Sequence, residues 1–179
     1  MEKKFYLKFK ENKDVISYIK EIINPLNLLK VKDDLFLMSV DYFEDYKEII
    51  KNFESEFFID IAVYEVEVEF DDTLNDTLLS LFEENNTGYY RFSDLLEKAI
   101  FSGNHNIIDI FKKYFLQHVP ESVIETGLVF IEEGNAVSAS KELYIHRNTL
   151  NYRIETIKRE TSLDIKKFKD SLVFYGLFH

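Results

Sequence analysis

The apolar residues of this chain change period near residue 71, and that change most limits what it can fold into. Before it, short stretches alternate. "KFYLKF" (4–9) reads as a strand, "NLLKVKDDLFLMSV" (27–40) as two strands with a turn at Asp33-Asp34, and "FFIDIAVYEVEVEF" (57–70) alternates clearly from Val63 to Phe70. Two amphipathic segments interrupt them. "NKDVISYIKEII" (12–23) places Val15, Ile16, Ile19, Ile22 and Ile23 at helical spacing and stops at Pro25, and "YFEDYKEIIKNF" (42–53) is the second. The order β-α-β-β-α-β predicts a small antiparallel sheet with its helices on one face.

Beyond residue 71 the spacing is helical throughout. The predicted helices are 71–86, 92–103, 105–119, 121–134, 135–143, 146–162 and 168–178, with Pro120 as a break. The expected class is α+β. An α+β domain over 1–70 is followed by a helical linker or dimerisation region over 71–120 and an all-α domain over 121–179. Only 5 Gly and 2 Pro leave little linker material, and 17 Phe with 11 Tyr supply core bulk without any Trp.

Composition excludes several chemistries. With no Cys there is no disulfide, thiolate metal site or Cys nucleophile, which fits a reducing cytoplasm. The lysine-rich start "MEKKFYLKFKENKD" has no apolar core of a signal peptide, and no apolar run approaches the ~20 residues of a membrane span. The expectation is a soluble cytoplasmic protein without membrane contact.

The formal net charge is −11, unevenly spread. Residues 1–120 carry −10 and residues 121–179 carry −1, while 146–169 hold seven basic and three acidic residues, a local +4. Nucleic-acid contact depends on such a local patch rather than on the whole-chain balance.

The basic segment has a definite local architecture. In "GNAVSASKELYIHRNTLNYRIETIKR" (134–159), Gly134 can take positive φ and end one helix, and Asn135 can cap the next. Ala139 and Ser140 are small where two crossing helices must approach. Leu150, Ile154 and Ile157 recur at i, i+4, i+7 and so form a buried stripe. At about 100° per residue, Asn148, Tyr152, Glu155 and Arg159 fall opposite it, with Arg147 and Asn151 on its flanks. A short helix, a tight turn around Tyr144-Ile145 and a helix with outward polar groups make up a helix-turn-helix, the unit that reads a major groove.

These residues resemble the C-terminal helix-turn-helix of PucR and carbohydrate-diacid-type bacterial regulators. The shared marks are Gly134-Asn135, His146-Arg147-Asn148-Thr149-Leu150, Tyr152-Arg153, Ile154, Ile157, Thr161, Leu163 and Asp164. The Fis-type helix-turn-helix is similar at greater distance. The resemblance covers 121–179 and implies a sequence-specific DNA-binding transcriptional regulator, not an enzyme. Its partners would be double-stranded DNA, a second copy of the chain, and an unknown effector or protein.

The DNA-facing set it implies is Arg147, Asn148, Thr149, Asn151, Tyr152 and Arg153, with Lys158 added for phosphate. The chemistry agrees. Arg147 suits guanine or phosphate, Asn148 and Asn151 suit adenine edges, and Thr149, Tyr152 and Lys158 suit phosphate. Asn151 stands where many members carry Arg, and Ser140 where Ala is common. An acidic protein-interaction module that keeps the helix-turn-helix as a scaffold is the alternative.

Residues 1–70 resemble a trimmed GGDEF-like domain by element order. The hairpin "KVKDDLF" (30–36) lacks the glycine-rich turn that cyclases use to hold phosphates, so cyclase chemistry is not expected. Neither cofactor nor metal is expected. His105, His118, His146 and His179 lack metal-type spacing, and the carboxylate pairs Asp71-Asp72, Glu83-Glu84 and Glu132-Glu133 read as helix-end charges. "GYYRF" (88–92) reads as core or interface.

Overall fold

The computed structural model describes residues 2–41, 53, 55, 57–67 and 70–179. The helix expected over 42–53 lies, except for Phe53, outside the described residues. Contacts divide the chain into two compact units, residues 1–95 and 96–179.

The first unit is built on a sheet of five strands: β1 (Lys3–Lys8), β2 (Asn27–Lys30), β3 (Leu35–Val40), β4 (Ala62–Val66) and β5 (Gly88–Tyr90). The spatial order is β2-β3-β1-β4-β5. The first three pairings along that order are antiparallel, and β4 with β5 is parallel. The sheet is therefore mixed, where alternation alone predicts antiparallel strands only. Three residues are too few to display a period of two, so β5 leaves no trace in the sequence pattern.

Alternation along the strands separates the two faces of the sheet. Phe5, Leu7 and Phe9 point to one face with Phe36, Met38, Val40, Ile61 and Val63, and there meet Val15 and Ile19 of the first helical segment. That segment is α1 (Lys13–Tyr18), capped by Asn12 Oδ1 accepting from the Asp14 amide at 2.9 Å. It runs on as a π-helical turn, Ile19–Ile23, and ends at Asn24 in the left-handed region (φ 49°) just before Pro25.

The opposite face is covered by α2 (Asp72–Glu83), which crosses between the parallel strands β4 and β5. Its Phe82 lies 5.8 Å, ring centre to ring centre, from Tyr64 of β4, and Tyr64 stacks on Tyr6 of β1 at 6.3 Å. Burial pushes the Tyr64 phenol well above its ordinary value. Helices thus lie on both faces, because the helix after residue 71 packs back onto the sheet.

The second unit is helical: α3 (Phe92–Phe101, which begins in the first unit), α4 (His105–His118), α5 (Glu121–Glu133), α6 (Ala136–Glu142), α7 (Arg147–Thr161) and α8 (Phe168–Phe178). The 71–120 stretch is divided between the units, with α2 in the first and α4 in the second. α5 packs on α6, α7 and α8, and α4 on α7 and α8. The core joins Phe111 and Phe115 to Ile124, Leu150, Ile154, Ile157, Val173, Phe174 and Leu177. Gly127 lets α5 approach closely: a Cβ there would sit 2.7 Å from both Ile157 Cδ1 and Phe174 Cε1. Among the described residues, no helix is long and apolar enough to cross a membrane.

Candidate nucleic-acid interface

The basic segment folds as α6, a four-residue connection and α7. Each boundary has a local chemical cause. Gly134 takes φ 68° and ends α5, and the Asn135 side chain accepts from the Val137 and Ser138 amides at 3.1 and 2.9 Å. Ala139 is fully buried at the crossing with α7.

In the connection, Tyr144 adopts the left-handed region (φ 52°), an unusual conformation for a bulky residue. Its ring is 96% exposed, so it adds nothing to the core. His146 caps α7, with its Nδ1 accepting from the Asn148 amide at 3.1 Å. Neither the cap made by His146 nor the exposure of Tyr144 is legible in the sequence pattern. Histidine is not among the usual capping residues, and the expected helix begins at His146 itself, so the cap leaves no signal in the sequence.

The buried stripe of α7 is Leu150, Ile154, Ile157 and Thr161, packed in the second unit. Its first two turns expose Arg147, Asn148, Thr149, Asn151 and Tyr152 together, with Tyr152 67% exposed. Among the described residues, Arg147 has no carboxylate partner. The first turn contains no acidic residue. An exposed helix start carrying one cation, three amide or hydroxyl side chains and one phenol suits hydrogen bonding to base edges and phosphates.

The other two residues of the expected set lie elsewhere. Arg153 turns toward α5, and its Nη1 donates to Thr126 Oγ1 at 2.9 Å and to the Ser122 carbonyl at 3.3 Å. Lys158 lies two turns beyond the exposed start and pairs with Asp164 at 3.0 Å. The Asp164 hydrogen bond raises the Lys158 pKa. Partial burial works against the Asp164 carboxylate, but the hydrogen bonds from Lys158 and the Lys166 amide outweigh it and hold Asp164 below its ordinary value.

Two further charges of this face are engaged within the unit. Glu155, on the outward side of α7, accepts from Lys166 Nζ at 2.7 Å, and that bond lowers its pKa. Arg159 Nε donates to Glu160 at 2.7 Å.

Residues 124–176 match the PucR C-terminal helix-turn-helix domain. Among characterised proteins, the chain is 35% identical over 98 residues to the DNA-binding transcriptional activator AdeR of Bacillus subtilis (strain 168), covering 53% of this chain and 23% of that protein. It is 49% identical over 39 residues to the carbohydrate diacid regulator of Escherichia coli (strain K12), covering 22% of this chain and 10% of that protein. The matched stretches thus span less than a quarter of these relatives' length. The solved regulator of polyketide synthase expression from Bifidobacterium adolescentis aligns over 98% of this chain and 78% of its own at 14% identity and a TM-score of 0.49. The C-terminal segment is a PucR-type helix-turn-helix domain.

Proposed function

We propose that this protein is a sequence-specific DNA-binding transcriptional regulator that reads a major groove with the first two turns of α7. The observation that carries the reading is the joint exposure of Arg147, Asn148, Thr149, Asn151 and Tyr152 at the start of that helix. The PucR-type domain and the regulators similar to the chain support it. In the proposed complex, Arg147 takes guanine or a phosphate, Asn148 and Asn151 take base edges, and Thr149 and Tyr152 take the backbone. The regulator acts as a homodimer, so two copies of α7 enter successive major grooves and the site has two-fold symmetry.

A second reading is favoured by one specific observation. Arg153, Lys158 and Arg159 are all engaged by groups of their own unit, which leaves less of the local positive charge of 146–169 for a phosphate backbone. On that reading the domain is a scaffold in an acidic protein-interaction module that binds another regulator.

Selection of bound fragments from sheared genomic DNA at roughly 0.1–0.15 M salt separates the two, because non-specific attraction is already weakened there. The regulator reading requires a shared two-fold site. It also requires that Arg147→Ala, at the exposed start of α7, remain folded and lose about 1–3 kcal/mol of binding free energy at that site. Recovery of no site by folded wild-type protein, or full affinity in folded Arg147→Ala, would refute it.

A further inference from the structure

Arg153 stands where a groove-reading residue is expected, yet its guanidinium is spent on α5. Two acceptors hold it there, Thr126 Oγ1 at 2.9 Å and the Ser122 carbonyl at 3.3 Å. Thr126 is fully buried, and its hydroxyl donates to the same Ser122 carbonyl at 2.7 Å. The three groups therefore form a closed cluster joining the first two turns of α5 to the middle of α7.

The cluster lies beside the tightest contact of the two helices. Gly127 follows Thr126, and Ile157, which meets Gly127, lies one turn beyond Arg153. Close apolar packing at Gly127 sets how near the helices come, and the Arg153 hydrogen bonds add a directional restraint on the rotation of α7 about its own axis. A charge-assisted hydrogen bond is directional and about twice as strong as a neutral one. Arg153 supplies it from the flank of the buried stripe, about 60° from Leu150 at 100° per residue.

The consequence falls on the exposed side. Side-chain tips lie about 5–6 Å from a helix axis, so a rotation of roughly 10° moves them by about 1 Å. Hydrogen bonds to base edges tolerate only a few tenths of an ångström.

Resting on the reading of α7 as the recognition helix, we infer that Arg153 is a positioning residue. Held by Ser122 and Thr126, it fixes the rotation at which α7 presents Asn148, Asn151 and Tyr152, and it touches no nucleotide itself.

The test uses the full chain and a DNA site selected by the wild type, titrated across a range of salt concentrations. The variants are Arg153→Met, Thr126→Val and the double variant, with folding followed by circular dichroism and urea unfolding. Thr126→Val keeps the β-branched shape and leaves the arginine charge in place, so it carries the test even where Arg153→Met folds poorly. Both single variants are expected to lose about tenfold in affinity, the scale of one base contact. The salt dependence should be unchanged, and the double variant no weaker than the weaker single one.

A salt slope lower by about 1 in Arg153→Met would instead show a phosphate contact and overturn the inference. Wild-type affinity in either folded variant would reduce the cluster to a purely structural bond and overturn it equally. Failure of the wild-type chain to select any DNA would overturn the regulator reading, and the inference with it.

Discussion

Replacing Gly127 by alanine tests the helix packing that presents α7. The added Cβ would lie 2.7 Å from Ile157 Cδ1, 2.7 Å from Phe174 Cε1 and 2.9 Å from Phe174 Cζ. Ile157 and Phe174 are both fully buried, so neither can retreat into solvent. The isoleucine methyl is the end of a flexible chain, but the ring must move as a plate. Overpacking of this kind costs about 1–3 kcal/mol, and two simultaneous clashes put this site near the upper end. Alanine recovers about 1 kcal/mol of helix propensity over glycine. The expected net loss is about 1–2 kcal/mol, read as a lower urea midpoint at an unchanged slope.

Gly176→Ala is the internal control. Its Cβ would meet Ile100 Cγ2 at 2.8 Å, but Gly176 is exposed and Ile100 only half-buried. Here the exposed site and the half-buried isoleucine leave room for a small shift, so clash and propensity gain should roughly cancel and keep the variant within about 0.5 kcal/mol of the wild type. A Gly127→Ala protein as stable as the wild type, or more stable, would refute the claim that α5 approaches α7 and α8 only because it has no side chain there.

Two more predictions concern the turn and the acid limb of stability. Tyr144→Gly should be neutral or stabilising, since an L-residue in the left-handed region costs about 1–2 kcal/mol and the exposed ring packs on nothing. A loss above about 1 kcal/mol on urea unfolding would show that the ring is held. The Asp164 carboxyl sits below its ordinary value, so its contribution is complete above the unfolded-state pKa and disappears as pH falls through the folded one. The urea midpoint of the wild type should accordingly fall more steeply than that of Asp164→Asn between about pH 5 and 3, and parallel curves would count against the Lys158–Asp164 pair.

Much of the helical unit is legible in the sequence, because its information is local. The stripe Leu150, Ile154, Ile157 tells which side of α7 is buried, and Gly134 and Asn135 mark where one helix ends and the next begins. The same wheel placed Asn148 and Tyr152 outward, where both are exposed. In the first unit, alternation in "KFYLKF" foretells the inward side chains Phe5 and Leu7 of β1 and Phe9 just beyond it.

What alternation does not carry is the identity of the neighbour. Gly88–Tyr90 becomes a strand only because α2 returns it beside β4, and three residues hold no periodic signal of their own. α2 itself shows one apolar stripe, with Leu74, Leu78, Leu81 and Phe82 buried, but nothing in that stripe says that it closes the second face of the sheet.

The long cations illustrate the same limit. Arg153 and Lys158 differ little from Arg147 as residue types, and spacing ranks all three as candidates for DNA. Their destinations depend on what stands across each interface: Thr126 and Ser122 for one, Asp164 for another, and no carboxylate for Arg147 among the described residues. The sequence alone determined the helices of the second unit, their buried stripes and the helix-turn-helix, but not the short strand β5. Tertiary packing decided which polar groups remain for a partner, because a flexible charged side chain bonds to whatever acceptor the fold brings within reach.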